Sequence, residues 1–263
     1  MSRPRGALAP GRLRVPEIIT AYFWIIKGLS TAMGESTSDY LVHRIHPVPA
    51  VALGFVGFVV ALVLQFRMRR YMAWTYWFAV VMVGVFGTMA ADVLHVGFGV
   101  PYVVSTTFYA IVLVAVFFAW DRVEDTLSIH SITTPRRELF YWAAVVATFA
   151  LGTALGDLTA TTLHLGYFKS MVLFAVIIAV PAIGYWRFDW NPVFSFWAAY
   201  VITRPLGASF ADWLGKPVVV GGLGWGNGKV SLGLTVLIIG FVAYLAITRI
   251  DVARRPRLRP PAP

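Results

Sequence analysis

Apolar residues run along this chain in eight long segments, separated by short stretches that contain charged residues, glycine or proline. Most segments approach the roughly 20 residues that an α-helix needs to cross the hydrocarbon core of a membrane. The pattern predicts an all-α, polytopic membrane protein with about eight transmembrane helices. The expected spans are residues 18–41, 49–66, 73–95, 101–120, 139–163, 168–186, 194–214 and 229–248.

The first, third, fifth and seventh segments share a motif. An aromatic residue precedes Trp, Gly follows ten residues after the Trp, and Asp follows fifteen residues after it. Such regular spacing identifies an internal repeat, here of a motif helix followed by a plainer helix. The motif Trp residues are Trp24, Trp77, Trp142 and Trp197. We expect these side chains to belong to an aromatic belt at the cytoplasmic interface, and stacking on a ligand is the alternative interpretation.

Composition supports the membrane assignment. Of 263 residues, 59% are apolar and 13% charged, whereas soluble domains average roughly 45–50% and about 25%. The net charge of +10 lies mostly in arginines that flank the spans, which the positive-inside rule explains without nucleic acid as a partner. The chain contains no cysteine, which excludes disulfides and thiolate chemistry. We expect no cleaved signal peptide, because no small-residue cleavage site follows a short apolar core.

The arginines also predict orientation and boundaries. Both termini and the arginine-rich loops should be cytoplasmic, so that all four repeats insert the same way up as parallel repeats. We expect disordered basic cytoplasmic tails at 1–15 and 251–263 around a single transmembrane domain at 16–250. The repeats in this domain should cover about 18–70, 71–122, 136–188 and 191–249.

Small residues predict how the motif helices pack. In each copy a small residue lies four positions after the motif Gly, which is the spacing that lets two membrane helices approach closely. We therefore expect an inner cluster of motif helices with the plainer helices outside. The packing positions are Gly34, Gly87, Gly152 and Gly207, together with Ser38, Ala91, Gly156 and Ala211.

The four motif aspartates are the main candidates for function. Fifteen residues of helix place each Asp about 22 Å beyond its Trp, so that Asp39, Asp92, Asp157 and Asp212 should share one level. Ionisable residues within a membrane are costly and often functional, and a ring of carboxylates attracts cations. In the alternative interpretation, each Asp lies at the outer interface and holds the turn to the next helix.

The four copies of the motif differ in other polar residues. The residue after the motif Gly is Glu35, Thr88 or Thr153 in the first three copies, which adds oxygens to the candidate ion path. Lys27 and Arg204 are the basic residues deep within motif helices. They are candidates for gating or counter-charges that pair with Glu35, Asp39 or Asp212, and a purely structural ion pair is an equal alternative.

Histidines extend the candidate chemistry to metals. His43, His46, His95 and His164 are expected on the outer side, where imidazole and carboxylate would suit transition metals, although interfacial positions explain them as well. The linker at 121–138 holds a second candidate group, Asp121, Glu124, Asp125 and His130. This group would bind a metal or, in the preferred interpretation, form part of a solvated linker.

The chain resembles a family of bacterial membrane proteins catalogued as a tandem repeat of unknown function. The resemblance rests on VPEIITAYFWIIKGLSTAMGE-x3-D, on the Gly-Thr-x3-Asp copies, and on ADWLGKP followed by GGLGWGNG. It covers about residues 15–250 and implies four copies of two transmembrane segments with a characteristic Trp, in a bacterial inner membrane. It implies no activity, substrate or catalytic residue.

Three functions remain as hypotheses. The first is a cation transporter or channel, with transition-metal export as one version, in which the lipid bilayer surrounds the protein and a small cation or proton passes the Asp ring. The second is an intramembrane enzyme that acts on a lipid or quinone, and the third is a non-catalytic scaffold or sensor. The sequence predicts no bound cofactor, leaves a divalent metal as a candidate substrate, and is compatible with an oligomer.

Overall fold

The computed structural model describes residues 13–253, which form eight α-helices and no β-strand. The α-helices are α1 (Ala21–Arg44), α2 (Pro47–Arg67), α3 (Ala73–Asp92), α4 (Tyr102–Glu124), α5 (Pro135–Asp157), α6 (Gly166–Phe188), α7 (Pro192–Gly215) and α8 (Asn227–Thr248). Helices α3 and α5 each continue into one π-helical turn, Val93–Gly97 and Leu158–Thr162. These two π-helical turns begin directly after the motif Asp.

The motif helices form a closed inner ring. Helix α1 packs against α3, α3 against α5, α5 against α7, and α7 back against α1. The plainer helices lie outside, as the small residues predict, and keep large apolar side chains on their exposed faces. Each plainer helix packs mainly on the motif helix of the following repeat, so that α2 lies on α3, α4 on α5, α6 on α7 and α8 on α1.

Six of the eight helices are long and apolar enough to cross a membrane. Helices α1 and α7 have comparable lengths, 24 residues each, but do not meet this criterion because buried charged and polar residues interrupt their apolar sequence. These include Lys27 and Glu35 in α1 and Arg204 and Asp212 in α7. Both helices belong to the inner ring, where other helices cover these side chains.

The two described ends of the chain, residues 13–18 and 251–253, pack beside the inner ring of helices. Val15 is buried, and the backbone N–H of Tyr71 donates to the carbonyl of Leu13. Asp251 accepts the hydroxyl of Tyr71 at 2.5 Å, and its carbonyl accepts two backbone N–H groups from 17–18. Residues 13–15 and 251–253, assigned from sequence to the tails, thus pack against the helices. The disorder expected for 1–12 lies outside the described residues.

The linker between α4 and α5 is folded onto the bundle. Glu124 forms ion pairs with Arg136 at 3.2 Å and Arg137 at 2.7 Å. Ile129 and Ile132 are buried in the core. Asp121, Asp125 and His130 are exposed, as the interpretation of a solvated linker expects for this group, whereas the apolar residues of the linker pack into the core.

Candidate functional site

One end of the inner ring is closed by aromatic side chains. The residue before each motif Trp contacts the Trp of the next helix around the ring. The ring centroids of Phe23 and Trp77 lie 5.4 Å apart, and the corresponding distances are 5.8 Å for Tyr76–Trp142, 6.0 Å for Tyr141–Trp197 and 5.6 Å for Phe196–Trp24. We call these eight residues the aromatic ring.

The aromatic ring differs from the expected interfacial belt. Trp77, Trp142 and Trp197 are buried between helices, and only Trp24 is partly exposed. Inside the ring, the hydroxyls of Tyr76 and Tyr141 form a hydrogen bond of 2.5 Å. The motif aromatics therefore fill the space between the inner helices at this level instead of facing lipid headgroups.

The motif glycines lie where adjacent inner helices approach most closely. A Cβ atom on Gly34 would lie 2.8 Å from the backbone carbonyl carbon of Gly84, and one on Gly87 would lie 2.9 Å from the Cβ of Phe149. The same relation brings Gly152 to Arg204 and Gly207 to Thr31. Each motif Gly thus faces the next helix in the same direction around the ring.

Arg204 lies at the centre of the inner ring of helices and is fully buried. Its Nη2 donates to Glu35 at 2.8 Å and to Thr153 at 2.7 Å, and it also contacts the hydroxyl of Thr88. Its Nη1 donates to the carbonyl of Thr31 at 3.1 Å. The position after the motif Gly therefore supplies one ligand from each of the first three repeats.

The fourth repeat completes this arrangement. Its residue after the motif Gly is Ala208, which lacks a polar group, and the same helix contributes Arg204 instead. The ideal Cβ of Gly156 lies 3.6 Å from the Cβ of Ala208, so a larger side chain would crowd α5 at this point. At this level of the inner ring, the fourth repeat thus contributes a cation and the other three repeats contribute hydrogen-bond acceptors.

Lys27 occupies the axis between Arg204 and the aromatic ring. It is fully buried, and its Nζ has no hydrogen-bond partner among the described residues. The Nζ lies 4.1 Å from the ring centroid of Phe149 and 4.0 Å from that of Tyr200. Within residues 13–253, Lys27 pairs with no carboxylate, and its Nζ instead contacts these two aromatic faces.

The acidic level lies beyond Arg204. Asp39 contacts the Nζ of Lys216 and accepts a hydrogen bond of 3.0 Å from Asn227. Asp212 lies 3.6 Å from the same Lys216 Nζ. Burial disfavours the charge on Lys216, but Asp212 and Asp39 outweigh it and raise the pKa of this ammonium above its ordinary value.

Asp92 and Asp157 form the other half of the acidic level. Both are partly exposed, and neither carboxylate has a hydrogen-bond or ion-pair partner within residues 13–253. Asp92 interacts electrostatically with Glu35, Asp157 and Asp39, and also with the cation Lys216. Neither carboxylate caps the turn that follows it. The four motif aspartates therefore share one electrostatic environment, in which two are held by partners and two are not.

The loop after α7 brings Lys216 to this site. The N–H groups of Leu223, Trp225 and Gly226 donate to the last carbonyls of α7, at distances of 2.6–3.2 Å. The loop thus turns back along the end of the helix. Asn227, at the start of α8, completes the contact with Asp39. Sequence reasoning did not assign Lys216 to the site and missed this contribution.

The candidate metal ligands do not assemble. Within residues 13–253, no group of three His, Asp or Glu side chains is arranged to hold a metal ion. The Nδ1 of His43 lies 2.6 Å from the carbonyl of Asp39, and His95 stacks on Tyr102. His164 adopts a left-handed backbone conformation, and His46 is exposed before α2. The histidines thus occupy helix ends and turns.

Sequence reasoning also missed a buried carboxylate at the opposite end. Glu138 is fully buried and accepts hydrogen bonds from Arg14 at 2.7 Å and Gln65 at 2.8 Å. It precedes Trp142 by four residues, where the other copies have Thr20, Ala73 and Val193. This departure of one copy from the others was the available signal.

Comparison with known proteins identifies the repeat. The family described as Repeat of Unknown Function (DUF347) matches residues 22–71, 75–126, 140–189 and 195–251. No curated protein and no solved structure matches the chain. Each matched segment contains one motif helix and the plainer helix that follows it, and together the segments cover most of the sequence. The chain belongs to the DUF347 family of four tandem repeats.

Proposed function

We propose that this protein is an integral membrane transporter of protons or small cations, and that Asp92 and Asp157 bind the transported ion. All eight helices cross the bilayer in this proposal, including α1 and α7. Their charged residues are compatible with this position, because Lys27, Glu35, Arg204 and Asp212 are buried inside the protein. Lipid would contact mainly the exposed apolar faces of the outer helices.

The unpartnered state of Asp92 and Asp157 carries the proposal. Carboxylates within membrane proteins normally pair with another group, because leaving them unpaired in a low-dielectric setting is costly. Within residues 13–253, these two carboxylates repel Glu35 and Asp39, and they form no hydrogen bond or ion pair of their own; Lys216 attracts both of them without forming an ion pair with either. A proton or a small cation would relieve this repulsion.

Internal symmetry supports the same assignment. If repeat one is aligned with repeat three, Asp39 corresponds to Asp157, and if repeat four is aligned with repeat two, Asp212 corresponds to Asp92. The pair Asp39–Asp212 therefore corresponds to the pair Asp157–Asp92. The first pair holds the ammonium group of Lys216. Within residues 13–253, no Lys or Arg side chain forms an ion pair with the second pair. The protein thus provides a resident cation for one half of its acidic level and leaves the other half available.

The filled axis favours a transporter over an open channel. Arg204, Lys27 and the aromatic ring occupy the centre of the bundle. The fixed positive charge of Arg204 on this axis opposes cation passage. An ion bound at the acidic level would therefore require a conformational change to reach the other side. Arg204 and Lys27 would act as counter-charges in this change, and Thr88 and Thr153 would hold Arg204 while the carboxylates exchange ions.

The donor set favours protons or small cations that take oxygen ligands over Zn, Cu, Fe and Ni. The histidines do not converge with the aspartates, and no three-ligand metal group occurs within residues 13–253. Imidazole or thiolate ligands suit Zn, Cu, Fe and Ni, whereas carboxylates suit Mg, Ca and Mn. Export of Zn, Cu, Fe or Ni would need a rearranged acidic level.

Flux into proteoliposomes tests the proposal. We would compare the full-length protein with the Asp92→Asn/Asp157→Asn double variant, using proton, K⁺, Mg²⁺ and Mn²⁺ gradients. The matched control is Asp121→Asn, which makes the same chemical change at an exposed position in α4. We expect flux in wild type and in the control, and background flux in the double variant with its unfolding temperature retained.

Two results would contradict the proposal. Wild-type protein that carries no ion under any gradient would favour the scaffold alternative, in which the aspartates serve the architecture. Undiminished flux in the double variant would move the ion path away from Asp92 and Asp157. Reporter fusions at both termini would test the proposed orientation, with both ends on the cytoplasmic side of a bacterial inner membrane.

A further inference from the structure

A cavity of about 590 Å³ lies between α6, α7, the start of α1 and the α4–α5 linker. Its volume falls in the range of small-molecule sites, roughly 300–1,000 Å³. It is separate from the acidic level, because its α7 wall comes from residues 192–199, near the aromatic ring. Ala182 and Tyr185 line it and are exposed, so it opens towards the face that lipid would cover.

A difference between repeats explains why this space is open. At the neighbouring outer helix, Phe117 of α4 packs against the motif Trp197 with ring centroids 4.9 Å apart. The corresponding turn of α6 contains Pro181 and Ala182, which are much smaller. Trp24, the motif Trp beside this turn, is the only one of the four that is partly exposed. Because α6 has no aromatic side chain at this turn, a space remains beside the indole of Trp24.

The lining defines the chemistry of an occupant. Among the described residues, no Asp, Glu, Lys or Arg lines the cavity, and the linker contributes the imidazole of His130, so it suits a neutral molecule. Trp24, Phe196 and Tyr185 provide aromatic walls, which pack well against a planar ring. Ser195 is 6% exposed, and its hydroxyl has no hydrogen-bond partner in the described structure. A buried unpaired hydroxyl is costly, and a ligand carbonyl would accept a hydrogen bond from it.

We propose that this cavity binds a neutral, membrane-soluble ring compound that carries a carbonyl group, of the quinone type. The ring of the ligand lies beside Trp24 and Phe196, and the ligand carbonyl accepts a hydrogen bond from Ser195. An apolar tail leaves between α6 and α1 into the lipid. Since Phe196 also belongs to the aromatic ring that closes the axis, the ligand contacts the closed end of the proposed transport path.

Binding of a short-chain ubiquinone to the full-length protein in detergent tests the site. Isothermal titration calorimetry would compare wild type with Ala182→Phe, which restores an aromatic side chain to the empty position. The control is Val176→Phe, which places the same ring on the exposed face of α6. We expect saturable binding in wild type and Val176→Phe, and loss of binding in Ala182→Phe with its unfolding temperature retained.

Ser195→Ala provides a second readout, because the site then keeps its shape and loses one hydrogen bond. We expect about a fivefold weaker affinity from the loss of a neutral hydrogen bond. Equal binding of an alkyl alcohol with the same tail and no ring would show an ordinary lipid groove and overturn the proposal. Absence of saturable ubiquinone binding, or binding that Ala182→Phe leaves unchanged, would overturn it as well. None of these outcomes depends on ion flux.

Discussion

Arg204 and Glu35 form an ion pair of 2.8 Å between α7 and α1, in which the arginine is fully buried and the glutamate is 4% exposed. The two residues come from the fourth and first repeats, which are farthest apart in sequence. Thr88 and Thr153 bring the second and third repeats to the same guanidinium. A single side chain therefore joins all four inner helices, and its loss should affect the whole bundle.

Arg204→Met should destabilise the protein strongly, by about 3–5 kcal/mol, because it leaves the Glu35 carboxylate buried without its cation. The double variant Arg204→Met/Glu35→Gln should recover part of this loss, since the uncompensated charge is then gone. Thermal unfolding in detergent measures both effects. Arg187→Met is the control, because Arg187 is exposed at the end of α6. A double variant as unstable as the sum of both single variants would contradict the pairing.

Substitution of the motif glycines should distinguish close helix contacts from helix propensity. A Cβ on Gly207 would lie 2.7 Å from the Cβ of Thr31 and 3.0 Å from the backbone nitrogen of Ala32. Gly207→Ala should therefore cost about 1–3 kcal/mol through overpacking. Gly28→Ala is the matched control in α1, because no neighbouring atom lies within 4 Å of its Cβ position. Unfolding temperatures should fall for Gly207→Ala and stay level or rise for Gly28→Ala.

The sequence predicted the helices and their inner and outer positions because both follow from local patterns. The length of an apolar segment predicts a helix that can cross a membrane, and the Gly-x3-small spacing predicts the face that another helix approaches. The pairing of α2 with α3, rather than with its own motif helix α1, was not predictable in this way. Such a choice depends on the shape of the assembled surfaces, which no single segment encodes.

The candidate site was predictable in its residue types and not in its pairings. The spacing of Asp39, Asp92, Asp157 and Asp212 indicated one acidic level, but nothing local showed that Lys216 would hold two of them. That contact requires the loop after α7 to turn back along its own helix. The placement of Lys27 against aromatic rings was hidden for the same reason, because Phe149 and Tyr200 come from distant segments.

The hydrogen bond between Tyr76 and Tyr141 should show strong coupling. Both side chains are 1% exposed, and their hydroxyl oxygens lie 2.5 Å apart. Tyr76→Phe removes one partner and leaves a buried hydroxyl unsatisfied, which should cost about 1–3 kcal/mol. Tyr76→Phe/Tyr141→Phe should be less destabilised than the two single changes together. Tyr185→Phe, at a position 55% exposed, is the control for the loss of a hydroxyl.

The segment before α1 should act as a structural tie through Arg14 and Glu138. The pair lies 2.7 Å apart, the Arg14 side chain is 14% exposed and the Glu138 side chain is fully buried. Gln65 donates both to Glu138 and to the carbonyl of Arg14, so the contact joins the segment to α2 and α5.

Arg14→Ala should lower stability by about 2 kcal/mol, because a buried carboxylate loses a charged hydrogen-bond donor. The substitution should also release the segment from the bundle, so that limited proteolysis before α1 becomes faster. Arg69→Ala is the control, since Arg69 is exposed and makes no ion pair in the described structure. Equal proteolysis rates in both variants would show that the backbone hydrogen bonds of Leu13 and Arg14 hold the segment without the ion pair.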